Sequence, residues 1–317
     1  MGSHTKPNSG GATTPLSPRL ALQLAAPHTW PAAIMPVLVA AACALANTGS
    51  LDVGMAWLLL LICILMQASV NTFNDYFDFI KGTDTAEDNV EASDSVLVFN
   101  DVNPRSALGL AIGFLVVAFL FGLYVVWKTG PVPLVIALFG AVIVVMYSGG
   151  KTPLSYLPVG EAVSGIVMGG LIPLACYQVL SGTFTFMALL WATPTIIGVG
   201  LIMMTNNTCD IEKDIEVSRR TLPTLLGRPH ARKLYHALVF CWLVAIAVII
   251  AVFFTRGTIV LVFALLASYP LLKALLSNPL APQARIGAMA QICSVNIALG
   301  SFYAAAILAS SAIAFVA

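Results

Sequence analysis

Residues 53–78 read VGMAWLLLLICILMQASVNTFNDYFD, and the fold class turns on the change of character within them. From Val53 to Val70, 18 residues pass without a formal charge. A helix that spans a bilayer needs about 20 largely apolar residues, so this stretch predicts a membrane span. Asn71, Asn74, Asp75 and Asp78 then crowd its end, where the chain would leave the hydrocarbon. Positions 71, 75 and 78 stand at i, i+4 and i+7, which share one face of a helix. That face carries one amide and two carboxylates.

The composition agrees with that stretch. Of 317 residues, 59% are hydrophobic and 9% are charged, whereas a soluble domain carries roughly a quarter charged residues. Apolar segments recur near 30–48, 53–74, 106–127, 131–148, 159–180, 185–206, 233–254, 257–275 and 286–308. They predict an all-α polytopic membrane protein of about nine transmembrane helices in one bundle. Residues 1–18 are rich in Gly, Ser, Thr and Pro and predict a disordered tail, leaving 19–317 as a single transmembrane domain. No leader with a small-residue cleavage pattern precedes the first apolar run. The basic residues form no long run and the net charge is +1, so nucleic acid is not an expected partner. Cys43, Cys63, Cys176, Cys209, Cys241 and Cys293 have neither metal-ligand spacing nor a disulfide pattern.

Lysine and arginine bias orients such chains. With the N-terminus in the cytoplasm, thirteen of the fifteen Lys and Arg residues fall on that side, and only Lys128 and Arg256 fall opposite. Asp52 is the only carboxylate expected outside. Both signs of charge therefore gather on one face of a cell (inner) membrane, which predicts a cytoplasmic-side active site. A secondary transporter, the alternative class, would place acids nearer the midplane and on more helices.

The acidic pattern recurs. Asn206-Asn207-Thr-Cys-Asp210-Ile-Glu-Lys-Asp214 closes the sixth apolar segment as Asn71 to Asp78 closes the second, and Arg219-Arg220-Thr221 follows it. After Asp78, Lys81-Gly82-Thr-Asp84 lets one more carboxylate turn back, since Gly82 ends a helix readily. Clustered carboxylates repel unless a cation lies between them, and Lys81 and Lys213 are too few to serve them all. Magnesium takes carboxylate oxygens and is completed by substrate phosphates. Asp75, Asp78, Asp84, Asp210 and Asp214 are thus the expected ligands of two Mg2+ ions bridging a diphosphate. Glu87, Asp88, Glu91, Asp94 and Asp101 show no helical register and are expected to be solvated. A third stretch, Tyr147-Ser-Gly-Gly-Lys151-Thr-Pro-Leu-Ser-Tyr156-Leu-Pro-Val-Gly160-Glu161, is a tight connection holding a lysine and two tyrosines on the same side.

At these three stretches the chain resembles the UbiA superfamily of intramembrane prenyltransferases, from Pro27 to the last span. Within it, the chain is most similar to the 1,4-dihydroxy-2-naphthoate polyprenyltransferase branch of menaquinone synthesis. The six-residue step from Asp78 to Asp84, the Tyr147–Glu161 pattern, Asn206 to Leu222, the Pro27-His28-Thr29-Trp30-Pro31 opening and Tyr177-Gln178 carry that similarity. The resemblance implies transfer of a polyprenyl group from its diphosphate to an aromatic acceptor, with loss of the acceptor's carboxylate to give demethylmenaquinone. Hydroxybenzoate, haem and isoprenoid-lipid alcohols are the alternative acceptors in the superfamily. It further implies that Asp75, Asp78, Asp210 and Asp214 are catalytic. Asn71, Asn74, Asn206 and Asn207 contact substrate, as do Lys81, Lys151, Arg219 and Arg220 on the phosphates and Tyr147 and Tyr156 beside the allylic cation. The prenyl tail would lie between helices open to membrane lipid. Two positions depart from the family: Ala26 stands where an arginine usually precedes the proline, and 85–100 hold no basic residue.

Overall fold

The computed structural model describes residues 15–81, 96–148 and 153–311, which form helices and no strand. In chain order the α-helices begin with α1 Pro18–Leu24, α2 Pro31–Thr48, α3 Val53–Lys81, α4 Val96–Phe99, α5 Pro104–Thr129 and α6 Val132–Ser148. They continue with α7 Gly160–Ile166, α8 Ile172–Ser181, α9 Met187–Trp191, α10 Thr193–Cys209 and α11 Ile211–Glu216. The last are α12 Leu222–Leu226, α13 Arg228–Phe253, α14 Thr258–Ser277 and α15 Arg285–Ala309.

Among the described residues, seven helical stretches are long and apolar enough to cross a membrane: Pro31–Thr48, Val53–Ile80, Pro104–Thr129, Gly160–Ser181, Arg228–Phe253, Thr255–Ser277 and Pro282–Ala309. The other two expected spans fall on shorter helices. α6 has 17 residues, and 185–206 divides at Ala192 into α9 and the 17-residue α10. Pro194 explains that division, because a proline lacks the N–H a continuing helix needs and clashes with the turn before it.

Local signals set the helix ends. Ser17 caps α1 and Asn103 caps α5, each accepting a backbone N–H, with proline in the first turn that follows. Gly49 ends α2 at φ 73°, in the left-handed region where a side chain would be strained. α3 runs for 29 residues, about 43 Å at 1.5 Å per residue, against a hydrocarbon core of about 30 Å. Its last turns, with Asp75 and Asp78, therefore extend past the apolar part.

Burial divides the bundle into centre and periphery. The spans Pro31–Thr48, Gly160–Ser181 and Pro282–Ala309 are 61%, 56% and 56% buried, while Val53–Ile80 and Pro104–Thr129 are each 17%. On the periphery Trp57, Phe119, Trp127, Phe240 and Leu266 stand exposed. A water-soluble monomer does not present apolar surface on that scale, and a bilayer covers it. The protein is an integral membrane protein. Inside, several hydroxyl groups are satisfied at close range: the Tyr303 hydroxyl donates to Trp191 O at 2.7 Å, and Thr205 and Tyr235 share a hydrogen bond of 2.9 Å.

Two features bring α7 against α10. A Cβ on Gly165 would lie 2.6 Å from Ile196 O, and one on Gly169 would meet the backbone at Thr195 and Ile196. Only glycine permits that approach. Gly169 also sits in the π-helical turn Val167–Leu171 between α7 and α8, where the Thr195 hydroxyl donates to the Gly169 carbonyl at 2.6 Å. A wide turn leaves backbone acceptors open, and Thr195 fills one.

Candidate active site

The second acidic motif closes α10 and runs through α11, and each of its first three carboxylates meets an arginine from elsewhere in the chain. Arg285, the first residue of α15, donates from Nη2 to Asn206 Oδ1 at 2.6 Å, and its Nε lies 3.1 Å from Asp210 Oδ1 and 3.2 Å from Oδ2. A cation at a helix N-terminus opposes the helix dipole, so its position reflects the anionic partner. Arg228 forks onto both Glu212 oxygens at 2.7 Å and also donates to the carbonyls of Leu280 and Thr208. Asp214, 1% exposed, pairs with Arg219 Nη1 at 3.0 Å and accepts from the Thr221 hydroxyl at 3.1 Å.

Arg219 carries the motif on to the third stretch. Its Nη2 donates to Ser155 O at 3.4 Å and its guanidinium lies over the Tyr156 ring, 5.4 Å from the centroid. The next residue, Arg220, donates its backbone N–H to Tyr156 O at 2.9 Å. Both tyrosines are half-buried, and the Tyr147 phenol is within electrostatic range of Arg219, Glu161 and Asp214. Behind this layer Asn207 Nδ2 donates to Glu161 Oε1 at 2.8 Å.

The proton affinities follow from burial and partners. Burial pushes the Asp214 carboxyl up to about 6, against the pull of Arg219 and with a further push from Asp210. Burial also raises Asp210, opposed chiefly by Arg285. Glu212 goes the other way, because the hydrogen bonds from Arg228 favour its charged form.

The first motif is held differently. Asp75, 5% exposed, accepts the backbone N–H of Val96 at 2.7 Å and of Leu97 at 3.3 Å, so it caps the start of α4. α4 stays there because Val96 and Leu97 are buried with Leu24, Val102 and Ala107 in a small apolar cluster. Asn71 faces the N-terminal segment: it donates to Ala25 O at 3.0 Å and Thr29 Oγ1 at 2.9 Å, and accepts from Gln67. Ala26, where the family's arginine would stand, is buried at φ 45° within that segment. Asp78 is half-buried, Asn74 is exposed, and Lys81 is the last residue of α3. Asp84 and Lys151 lie outside the described residues, as do Glu87, Asp88, Glu91 and Asp94. Asp101 is exposed.

The described contacts thus draw Asn206, Asp210, Asp214, Arg219, Arg220 and Tyr156 into one connected group, and tie Asn71 to Ala25 and Thr29 and Asp75 to Val96 and Leu97. The donors suit a hard divalent cation, since they are carboxylate and amide oxygens. Among the described residues, however, no three Asp, Glu, His or Cys side chains converge as a ligand set. Arginines make the ion pairs that balance the second motif, with Lys213 adding its pull on Asp210 and Asp214. Counting lysines alone overlooks Arg285 and Arg228, which lie far from it in sequence. Glu161 is the other residue that the sequence pattern left without a role, although a lone carboxylate in an apolar stretch is a functional signal by itself.

Comparison with known proteins bears on the whole bundle. Residues 33–295 match the model of the UbiA prenyltransferase family. The chain is 32% identical over 229 residues to the 1,4-dihydroxy-2-naphthoate octaprenyltransferase of Bacillus subtilis, covering 71% of this chain and 73% of that protein. It is 28% identical over 286 residues to the UbiA prenyltransferase domain-containing protein 1 of Danio rerio, covering 87% and 80%. Its fold matches that of a UbiA homolog from Archaeoglobus fulgidus solved with GPP and Mg2+, with a TM-score of 0.62, 17% identity, and 91% and 99% of the two chains covered.

Proposed function

The chain belongs to the UbiA prenyltransferase family, and from that premise we propose that it transfers a polyprenyl group from a polyprenyl diphosphate to 1,4-dihydroxy-2-naphthoate. The carboxylate leaves as carbon dioxide and the diphosphate is released, giving the quinol form of demethylmenaquinone. The naphthoate enzyme of Bacillus subtilis, similar at 32% identity, supports this acceptor. The observation that carries the reaction class is the arginine-braced carboxylate group from Asn206 to Arg220, packed against Tyr156 and within range of Tyr147.

Asp75, Asp78 and Asp84 would hold Mg2+ from the first motif, and Asp210 and Asp214 from the second, with two ions as the expected number. When bound, magnesium neutralises the negative charge that develops on the leaving diphosphate. The chain's own groups do the rest. Lys81, Lys151, Arg219 and Arg220 take the remaining phosphate charge where it grows. Asn74, Asn206 and Asn207 orient substrate by hydrogen bonds. Tyr147 and Tyr156 present ring faces that favour a cation over water. The tail lies among lipid-facing helices, and the site opens on the cytoplasmic side of the cell membrane, consistent with the lysine and arginine bias.

The test is an acceptor screen. Purified protein with Mg2+ and a radiolabelled polyprenyl diphosphate is offered dihydroxynaphthoate, hydroxybenzoate and other ring acids, and products are identified by mass. Prenylated naphthol with one carboxylate lost is the expected product. A prenylated hydroxybenzoate alone would refute the acceptor, and no prenylated product from any acceptor would refute the enzyme.

A further inference from the structure

Glu161 stands in the first turn of α7, and Asn207 stands on α10 seven residues before Asp214. Both are more than nine-tenths buried, at 6% and 2% exposed. Their one mutual hydrogen bond fixes the orientation of both. A carboxylate can only accept, so the Asn207 amide nitrogen must face Glu161 Oε1, at 2.8 Å. That leaves Glu161 Oε2 and Asn207 Oδ1, and neither has a hydrogen-bond partner among the described residues.

Two unsatisfied acceptors in one buried place are costly and rare. Arg219, Arg228 and Arg285, the arginines gathered round the second motif, are paired with Asp214, Glu212 and Asp210. The pair is built with some care, since it depends on the close approach of α7 to α10. A Cβ on Gly200 would lie 3.3 Å from Glu161 O, and Gly165 allows the next contact along. It also adjoins the candidate centre, because the Tyr147 phenol is in electrostatic range of Glu161, Asp214 and Arg219 together.

We propose that Glu161 and Asn207 form the subsite that receives the hydroxyl groups of the aromatic acceptor, an inference that rests on the prenyl transfer proposed above. Two acceptor atoms, with no donor remaining among the described residues, suit O–H groups and reject carboxylates and phosphates. A diphosphate is therefore excluded from this place, and a ring carrying hydroxyls is oriented by it. The acceptor's own carboxylate must point away from Glu161. The selected substrate class is a hydroxylated ring.

The experiment compares dihydroxynaphthoate with its O-methyl ethers in the wild type and in Glu161→Gln. Wild type should show a KM for the ethers about 10- to 100-fold above that for the parent, the range for a hydrogen bond to a charged group. In Glu161→Gln the KM for the parent should rise by about tenfold or more, the KM for prenyl diphosphate should stay, and the preference for hydroxyl over ether should fall to within about threefold. Glu161→Asp keeps the charge and shortens the reach. It should raise the KM while keeping the preference, and it serves if the glutamine variant fails to accumulate. An unchanged acceptor KM, or an unchanged preference for hydroxyl in Glu161→Gln, would overturn the assignment and leave a structural pair bridged by water. A wild type that prenylates hydroxynaphthoate but ignores both substitutions sinks only the subsite. A wild type that makes no product sinks the prenyl transfer as well.

Discussion

At the end of α3, Asp75 receives two backbone N–H groups of α4, whereas at the end of α10 Asp210, Glu212 and Asp214 each meet an arginine side chain. Both ends carry the same Asn-x-x-x-Asp spacing, yet their electrostatics differ. Backbone N–H groups carry only partial charge, and they are fixed by a helix that the small apolar cluster holds in place. Guanidinium groups carry full charge on side chains that can swing to a phosphate. The first end is therefore suited to a ligand position that stays put, and the second to one whose counter-charge can be handed over when substrate arrives. A shared spacing sets which carboxylates and amides share a helix face. It does not fix what balances them.

The largest effect should come from removing charge at either end. Asp210→Asn and Asp75→Asn are each expected to lower turnover by roughly a thousandfold, about 4 kcal/mol of transition-state stabilisation, with membrane insertion unchanged. Product formation by mass spectrometry checks both. Near-normal turnover in Asp75→Asn alone would reduce the first end to a cap for α4 and break the comparison at its root.

That much could be anticipated from the chain itself, for identifiable reasons. Hydropathy places helices because lipid selects for unbroken apolar length, so the expected 30–48 and 257–275 lie within two residues of α2 and α14 at every end. Helical spacing likewise puts Asp75 and Asp210 at the tips of long helices. Partners across the bundle leave no such trace. Arg285 lies 75 residues beyond Asp210, and only the packing of α15 against α10 makes them neighbours. The helix that Asp75 caps has four residues, too few to show a period. Asn207 and Glu161 each stood in a legible pattern, but the hydrogen bond that pairs them did not.

A smaller effect, on stability, should separate the two ends. Arg285→Ala leaves Asp210 and Asn206 without their buried cation, and breaking such a pair costs about 3–5 kcal/mol. Thermal unfolding in detergent should fall accordingly. Added Mg2+ should restore more of the loss in this variant than it adds to wild type, because the metal can take the arginine's place beside Asp210. Equal responses to Mg2+ in the two proteins would mean that metal and arginine do not share that carboxylate.

At the first end the corresponding loss should be local. Asp75→Ala removes the acceptor of two amides, about 1–3 kcal/mol, and the N–H groups of Val96 and Leu97 should exchange with solvent faster while the spans stay protected. Exchange measured by mass spectrometry reads this directly. Faster exchange throughout the bundle would show that α4 supports more than its own turn.

The smallest effect belongs to the outermost pair, and it tests whether every arginine at the second end is equivalent. Glu212 is exposed, its side chain 57% accessible, so its fork with Arg228 is screened by water. Glu212→Gln should cost no more than about 1 kcal/mol and leave turnover within about twofold. Arg228→Lys should cost more than Glu212→Gln, because Arg228 also donates to the carbonyls of Thr208 and Leu280, which a single ammonium cannot reach together. That order would show Arg228 acting mainly as a brace between the end of α10 and the start of α15. The reverse order, with Glu212→Gln the more damaging, would make Glu212 a working carboxylate beside Asp210 and Asp214.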